Sequence, residues 1–130
     1  MAVGVLTNFT VDNISGYATG VLTADSSPSA CSIFCGFKPR VVRSTEIGGT
    51  VGNGAVTTAD SSMTAAYMTQ QVAAGTMTIP TSNGYTFLDG SEASPAAKAT
   101  NSPLSAGPGV TLGTAVQATA SAAYRIEMWR

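Results

Sequence analysis

The fold class is indicated most clearly by residues 124–129, Tyr-Arg-Ile-Glu-Met-Trp, in which apolar side chains alternate with polar or aromatic ones. In an extended chain, one side carries Tyr124, Ile126 and Met128, and the other carries Arg125, Glu127 and Trp129. The apolar side is expected to face a core. The opposite side carries two adjacent side chains of opposite charge and a tryptophan, which is typical of a strand whose outer face is partly covered by a neighbour. An ordinary surface tryptophan at the end of a sandwich would give the same pattern.

Other short runs of β-branched and aromatic residues, separated by Gly, Pro, Asn, Asp and Ser, predict further strands. They lie at Ala2–Leu6, Phe9–Val11, Tyr17–Thr23, Ser29–Cys35, Pro39–Arg43, Thr76–Ile79, Tyr85–Leu88 and Val110–Leu112. About eight or nine short strands without helices between them predict an all-β domain, either an antiparallel sandwich or a jelly-roll-like barrel. At 130 residues, the chain is expected to form a single domain.

One segment, residues 62–74, is a candidate helix because it is rich in alanine and is followed by Gly75 in the position of a helix cap. Its apolar residues fit a strand period equally well, so the sequence leaves both structures open. Residues 21–27 and 56–62 both end in Ala-Asp-Ser-Ser, which predicts similar turns at the two places.

Two segments are predicted to form extended loops or arms. Residues 47–54 contain four glycines, and residues 90–109 are rich in Pro, Ser and Ala. A loop as long as the second is uncommon in a small domain. We expect it to lie on a neighbouring subunit.

Charge is scarce, since charged residues make up 10% of the chain and hydrophobic residues 44%, against about 25% charged residues in typical domains. The net charge of -1 provides no basic field for nucleic acid. The apolar stretches are too short to span a bilayer, and the first residues lack the charged start of a signal peptide. We therefore predict no nucleic-acid or membrane partner and synthesis in the cytoplasm of a host cell.

Catalytic chemistry has few candidates, because the chain contains no histidine and only seven carboxylates. Asp25 and Asp60 are interpreted as turn residues, although they could form a carboxylate pair. Cys31 and Cys35 would lie about 13 Å apart on a regular strand, too far for a disulfide. Both are expected in the core. The sequence predicts neither an enzyme, nor a metal site, nor a cofactor.

Several motifs resemble small virion proteins of tailed bacteriophages. They are residues 35–43 (Cys-Gly-Phe-Lys-Pro-Arg-Val-Val-Arg), 72–79, 82–86, 109–114 and 124–130. In that pattern Phe37 plugs the core at a turn, and Pro39 sets the start of a new strand. The glycine-rich residues 47–54 replace an acidic and aromatic stretch of the group. The resemblance implies a capsid decoration or cement protein without catalytic residues.

We therefore expect a structural protein on the outer capsid surface, with the major capsid protein and copies of itself, as a trimer, for partners. The predicted contact residues are Phe9, Phe37, Arg40, Arg43, Leu104, Arg125 and Trp129. An alternative is a tail or fibre domain that binds a host-surface glycan through Trp129 with Arg125 and Arg130. A small enzyme with an unrecognised site is a third reading, which the lack of histidine disfavours.

Overall fold

A computed structural model describes residues 3–48, 56–60, 69–73, 76–78, 83–117 and 119–130. Within these residues the chain forms ten strands and one short 3-10 helix, with no α-helix. The strands are β1 (Val5–Asp12), β2 (Tyr17–Thr23), β3 (Cys31–Phe34), β4 (Val41–Gly48), β5 (Val56–Asp60), β6 (Thr69–Ala73), β7 (Thr76–Thr78), β8 (Tyr85–Asp89), β9 (Pro108–Leu112) and β10 (Ala123–Trp129), and the 3-10 helix is Thr114–Gln117.

The strands form two antiparallel sheets. The larger sheet has seven strands in the order β1-β2-β10-β4-β5-β6-β7, and the smaller has three in the order β3-β9-β8. All paired strands are antiparallel. The prediction of an all-β antiparallel fold is confirmed in its sandwich form, since the described strands do not close into a barrel.

The core lies between the sheets and follows the alternation seen in the sequence. In β10, Tyr124, Ile126 and Met128 are buried, whereas Arg125 is exposed and Trp129 is half-buried. The same core contains Leu6, Ala18, Leu22, Ile33, Val42, Val110, Leu112 and Val116. Because β10 lies between β2 and β4, its inward side chains occupy the middle of this core.

Much of the smaller sheet is buried on both faces, although Thr86 of β8 is exposed. Ile33 and Phe87 face the main core, so Phe34 and Leu88, which follow them in the strands, point to the opposite face. Each of these two residues is nevertheless only 2% exposed. On the same outward face, the hydroxyls of Ser32 and Thr111 form a buried hydrogen bond of 2.8 Å. The open face of the sandwich is therefore the outer face of the larger sheet.

A segment within the long β8–β9 connection closes one side of the sandwich; we call residues 97–100 the strap. Its last residue bonds to the edge of the larger sheet. The Leu6 amide donates to the Thr100 carbonyl at 2.8 Å, and the Thr100 amide donates to the Gly4 carbonyl at 2.9 Å. The strap runs parallel to β1 at this point.

The other edge of the strap bonds to β3 in the smaller sheet. The Ser32 amide donates to the Ala97 carbonyl at 2.8 Å, and the Ala99 amide donates to the Ser32 carbonyl at 2.9 Å. Ala99 is fully buried. The expectation that residues 90–109 lie on a neighbouring subunit is thus corrected for the strap, whose backbone groups are paired with the domain's own sheet edges.

Some predicted elements differ from the observed ones. Residues 69–73 of the candidate helix form β6, because their backbone pairs with β5 and β7; the rest of that candidate lies outside the described residues. Asp60 ends β5 opposite Val41, whereas Asp25 follows β2 and caps its own turn by accepting a hydrogen bond from the Ser27 amide. In the predicted arm 47–54, residues 47 and 48 end β4 and the remainder lies outside the described residues.

Both cysteines are buried and free, as predicted. Cys31 begins β3, and Cys35 lies just after it, where its thiol donates to the Phe37 carbonyl at 3.0 Å. Burial raises the pKa of Cys31 to about 11, against the smaller opposing effects of hydrogen bonds from the Gly4 backbone and Gln117. These thiols therefore act as small apolar core groups.

Replacing Ala99 by Leu should lower the free energy of unfolding by about 1–3 kcal/mol, because the added atoms must enter a region that is already packed. Ala97→Leu is a matched control, since Ala97 is an exposed residue of the same strap, and its effect should stay within about 0.5 kcal/mol. Urea denaturation followed by circular dichroism measures both. Equal losses in the two variants would contradict the strap as a buried closure of the sandwich.

Candidate interaction surface

The outer face of the larger sheet brings together polar and aromatic residues that are far apart in the sequence. In the strand register, Trp129 of β10 lies opposite Tyr17 of β2 on one side and Val41 of β4 on the other. Glu127 lies opposite Arg43 of β4. Because side chains alternate between faces, these residues all project outward from neighbouring strands.

Four of these side chains form a connected group, which we call the Trp129 cluster: Tyr17, Arg43, Glu127 and Trp129. The Tyr17 hydroxyl donates to Glu127 Oε2 at 2.9 Å. Arg43 donates to Glu127 Oε1 from Nη2 at 2.8 Å and from Nε at 3.3 Å. One carboxylate therefore fixes an aromatic ring on one side and a guanidinium on the other.

The tryptophan ring lies between the same two neighbours. The ring centroids of Tyr17 and Trp129 are 5.6 Å apart with an interplanar angle of 49°. The guanidinium carbon of Arg43 lies 5.9 Å from the Trp129 ring centroid, within the range of a cation–π contact. Each member of the cluster thus contacts two others, so the group is ordered before any partner arrives.

The contacts within the cluster shift the pKa values of Glu127 and Tyr17. Burial by itself would raise the pKa of Glu127, but hydrogen bonds from Arg43 and Tyr17, together with the charges of Arg43 and Arg125, lower it. Burial raises the pKa of Tyr17, and the neighbouring carboxylate of Glu127 adds to this rise while a Thr19 hydrogen bond opposes it. At neutral pH the glutamate is therefore charged and the tyrosine is not.

On β1, β2, β4 and β10, most of the other outward side chains are small or apolar and uncharged. Val21 and Thr45 are half-buried on either side of Arg125, which is itself exposed. Towards the other end of the sheet, Val5 and Ile47 are exposed apolar residues at 38% and 47%. A face of this composition loses little hydration free energy when another protein covers it.

The end of the sandwich next to the cluster carries two more arginines. The Arg40 amide donates to the Trp129 carbonyl at 2.6 Å, and the Arg130 amide donates to the Gly16 carbonyl at 2.7 Å. The Arg130 guanidinium donates to the Ile14 carbonyl at 3.3 Å. Ile14 lies at the tip of the β1–β2 turn, and its side chain is 93% exposed.

Three of the predicted contact residues, Arg43, Arg125 and Trp129, lie together on the outer face. Arg40 is exposed at the adjacent end, next to the Trp129 backbone. Tyr17 was not among the predicted contact residues, although the alternation of β2 would have placed it on the outer face. Sequence reasoning could not pair it with Trp129, because the two are brought together only by strand order.

The other predicted contact residues lie elsewhere. Phe37 is 5% exposed and packs beneath the Arg130 guanidinium at 5.9 Å; its role as a core plug is confirmed, which corrects its inclusion among the contact residues. Phe9 is half-buried against the core. Leu104 is 41% exposed on the long connection, close to Gly36.

Several polar side chains lie inside the sandwich and form hydrogen bonds there. The hydroxyls of Ser44 and Tyr85 form a hydrogen bond of 2.5 Å across the two sheets. Glu46 is 8% exposed and accepts a hydrogen bond from Thr119 at 3.4 Å. In the described part of the chain, no three His, Cys, Asp or Glu side chains are close enough together to hold a metal ion.

No protein-family model, curated protein or solved structure matches the chain at a significant level. None of the helical residues that the structure describes forms a helix of the length and apolarity that a membrane span requires.

Acid should destabilise the protein through Glu127. A carboxylate with a lowered folded pKa stabilises the fold fully above its ordinary pKa of 4.5, and this contribution is lost as the pH falls through the folded value. Between about pH 6 and pH 3, Glu127→Gln should therefore lose less unfolding free energy than the unmodified protein. Urea denaturation at the two pH values measures the difference.

Arg43→Met provides the second arm of this experiment. Removing the guanidinium removes the main group that lowers the Glu127 pKa, so this variant should also show a reduced acid loss. An acid loss equal to that of the unmodified protein in both variants would show that Glu127 is not coupled to folding.

Proposed function

We propose that this chain is a virion structural protein of the decoration or cement type, which binds the outside of a phage capsid and stabilises it by protein–protein contacts. The observation that carries the proposal is the Trp129 cluster, an ordered group of Trp, Tyr and Arg on the open face of a domain with very few charges. The motifs that resemble small virion proteins of tailed bacteriophages support the same class of function.

The composition of the cluster suits a protein interface. Trp, Tyr and Arg are the residues most enriched among those that dominate binding free energy. Here the hydrogen bonds and ring contacts of Glu127, Tyr17 and Arg43 already restrict the side chains. Because less side-chain entropy is lost on association, an ordered cluster binds more tightly than a mobile one with the same contacts.

The proposed mechanism is thermodynamic linkage. A protein that binds the assembled shell and not its separate subunits stabilises the assembly by RT ln(1 + [L]/Kd) at each site. Repetition over a symmetric shell multiplies this contribution. The major capsid protein is the proposed main partner, and copies of the chain, as a trimer, are the second. The protein would be made in the host cytoplasm and carried on the capsid surface.

A host-surface glycan is a weaker candidate ligand for this surface. Sugar rings commonly stack on an open aromatic face, but Arg43 lies over the Trp129 ring and Tyr17 is tilted beside it. Arg130, which the sequence had suggested as part of a sugar site, contacts Phe37 and the Ile14 carbonyl. The geometry favours contact with a protein surface.

We expect undecorated capsid shells of the virus that encodes this chain to bind the purified protein stoichiometrically. Trp129→Ala should weaken this binding by about 30-fold or more, as expected for a central interface residue. Thr86→Ala is the matched control, because Thr86 is exposed on β8 of the other sheet. Co-sedimentation of shells with labelled protein over a concentration series gives the dissociation constants.

Trp129→Phe separates binding from folding, since it keeps an aromatic ring in the sheet. Thermal unfolding by circular dichroism identifies any variant that is not folded. Failure of the folded, unmodified protein to bind shells would overturn the proposed function. Equal affinity of Trp129→Ala and Thr86→Ala would overturn the assignment of the face.

A further inference from the structure

The arginines of the chain lie on the outer face of the larger sheet and at the adjacent end of the sandwich. We call the following set the arginine corner: Arg40, Arg43, Arg125 and Arg130, which are all the arginines in the sequence. Arg43 and Arg125 project from the outer face, and Arg40 and Arg130 lie at the adjacent end, where their backbone amides bond to the ends of β10 and β2. The chain's single tryptophan, Trp129, lies between the two pairs.

Two carboxylates whose side chains the structure describes are committed to internal hydrogen bonds at this corner, and Asp60 lies beside them, opposite Val41 of β4. Glu127, with 14% of its side chain exposed, accepts from Arg43 and Tyr17. Asp12 accepts from the backbone amides of Ile14 and Ser15 in the β1–β2 turn. Both carboxylates are therefore used to hold the surface in shape.

Arg125 has a different environment. It is exposed between Val21 and Thr45, and it donates no side-chain hydrogen bond to any residue that the structure describes. Its position is diagonal to Arg43 across β10 and β4, which places the two Cα atoms about 7–8 Å apart. Arg125 can therefore meet an acidic side chain on a partner surface, and Arg43, whose Nε and Nη2 donate to Glu127, can meet a neighbouring one through Nη1.

We infer that the partner of the arginine corner is a protein surface that presents carboxylates beside an apolar patch. Guanidinium groups bind carboxylates through paired hydrogen bonds. The side chains of Trp129, Tyr17 and Val41 would contact the apolar patch of the partner. This inference rests on the proposed function only in naming the capsid as the source of that surface. The ligand chemistry follows from the corner itself.

A protein partner accounts for the surface better than a nucleic acid or an anionic membrane. Binding to polyanions depends on a long-range positive field, and the chain has a net charge of -1. Recognition must then act at short range, where hydrogen-bond geometry and apolar contact decide the outcome. Half-buried Trp and Val side chains beside the arginines have apolar counterparts on a protein surface and none on a phosphate backbone.

The ligand chemistry can be tested without knowing the partner, because the fluorescence of the single tryptophan reports on the corner. We expect a synthetic peptide of alternating Glu and Val to change Trp129 emission in a saturable way, and the matching Gln and Val peptide to have no effect. Arg125→Gln should weaken the response about tenfold. Lys98→Gln is the control, since Lys98 lies on the strap and bonds to the Ser102 carbonyl.

The competing ligands are a single-stranded oligonucleotide and vesicles that contain phosphatidylserine. Tighter binding of either one than of the acidic peptide would overturn the inference, as would equal responses to the Glu and Gln peptides. Arg125→Lys keeps the charge but loses the planar fork, so it should bind more weakly than the unmodified protein. Full affinity in Arg125→Lys would also contradict paired recognition of carboxylates.

A second arm uses undecorated shells whose carboxylates have been amidated with a carbodiimide and glycine ethyl ester. If untreated shells bind the protein and amidated shells bind it equally well, the inference fails while the proposed function stands. If the acidic peptide binds but untreated shells do not, the proposed function fails and the ligand chemistry of the corner stands. Loss of binding on amidation supports both.

Discussion

The pairing of β10 with both β2 and β4 is the constraint on which the rest of the structure depends. Its inward residues fill the middle of the core, and its outward residues place Glu127 and Trp129 between the side chains of the two neighbouring strands. Side chains alternate with a period of two, so a shift of one residue would expose Ile126 and bury Arg125. Core packing therefore also holds the surface cluster in register.

Much of this fold could be predicted from local patterns. The ends of β2 match the prediction, and the alternation in β10 identified both its faces. β5 was missed, and β6 lies in a segment whose pattern fitted a helix as well as a strand, because pairing with neighbouring strands decides both. The strap could not be foreseen, since its hydrogen bonds join backbone groups to Gly4, Leu6 and Ser32, more than sixty residues away in the sequence.

The interaction surface was predictable only in part. Arg43, Arg125 and Trp129 are recognisable as polar or aromatic residues in predicted strands, but their proximity follows from the order of the strands in the sheet. Tyr17 joins them because β2 and β10 are neighbours, although the two strands are more than a hundred residues apart in the sequence. Phe37 illustrates the opposite case, since a large aromatic residue in a turn can point inward and complete a core.

The strap also determines how the domain would carry mechanical load. Its backbone bonds to one sheet on one edge and to the other sheet on the opposite edge, and it runs parallel to the strand it meets on each side. A force that slides the sheets past each other along the strands would load these hydrogen bonds together. A force that pulls the sheets apart across this side would load the two edges in series, so the domain should resist sliding better than opening.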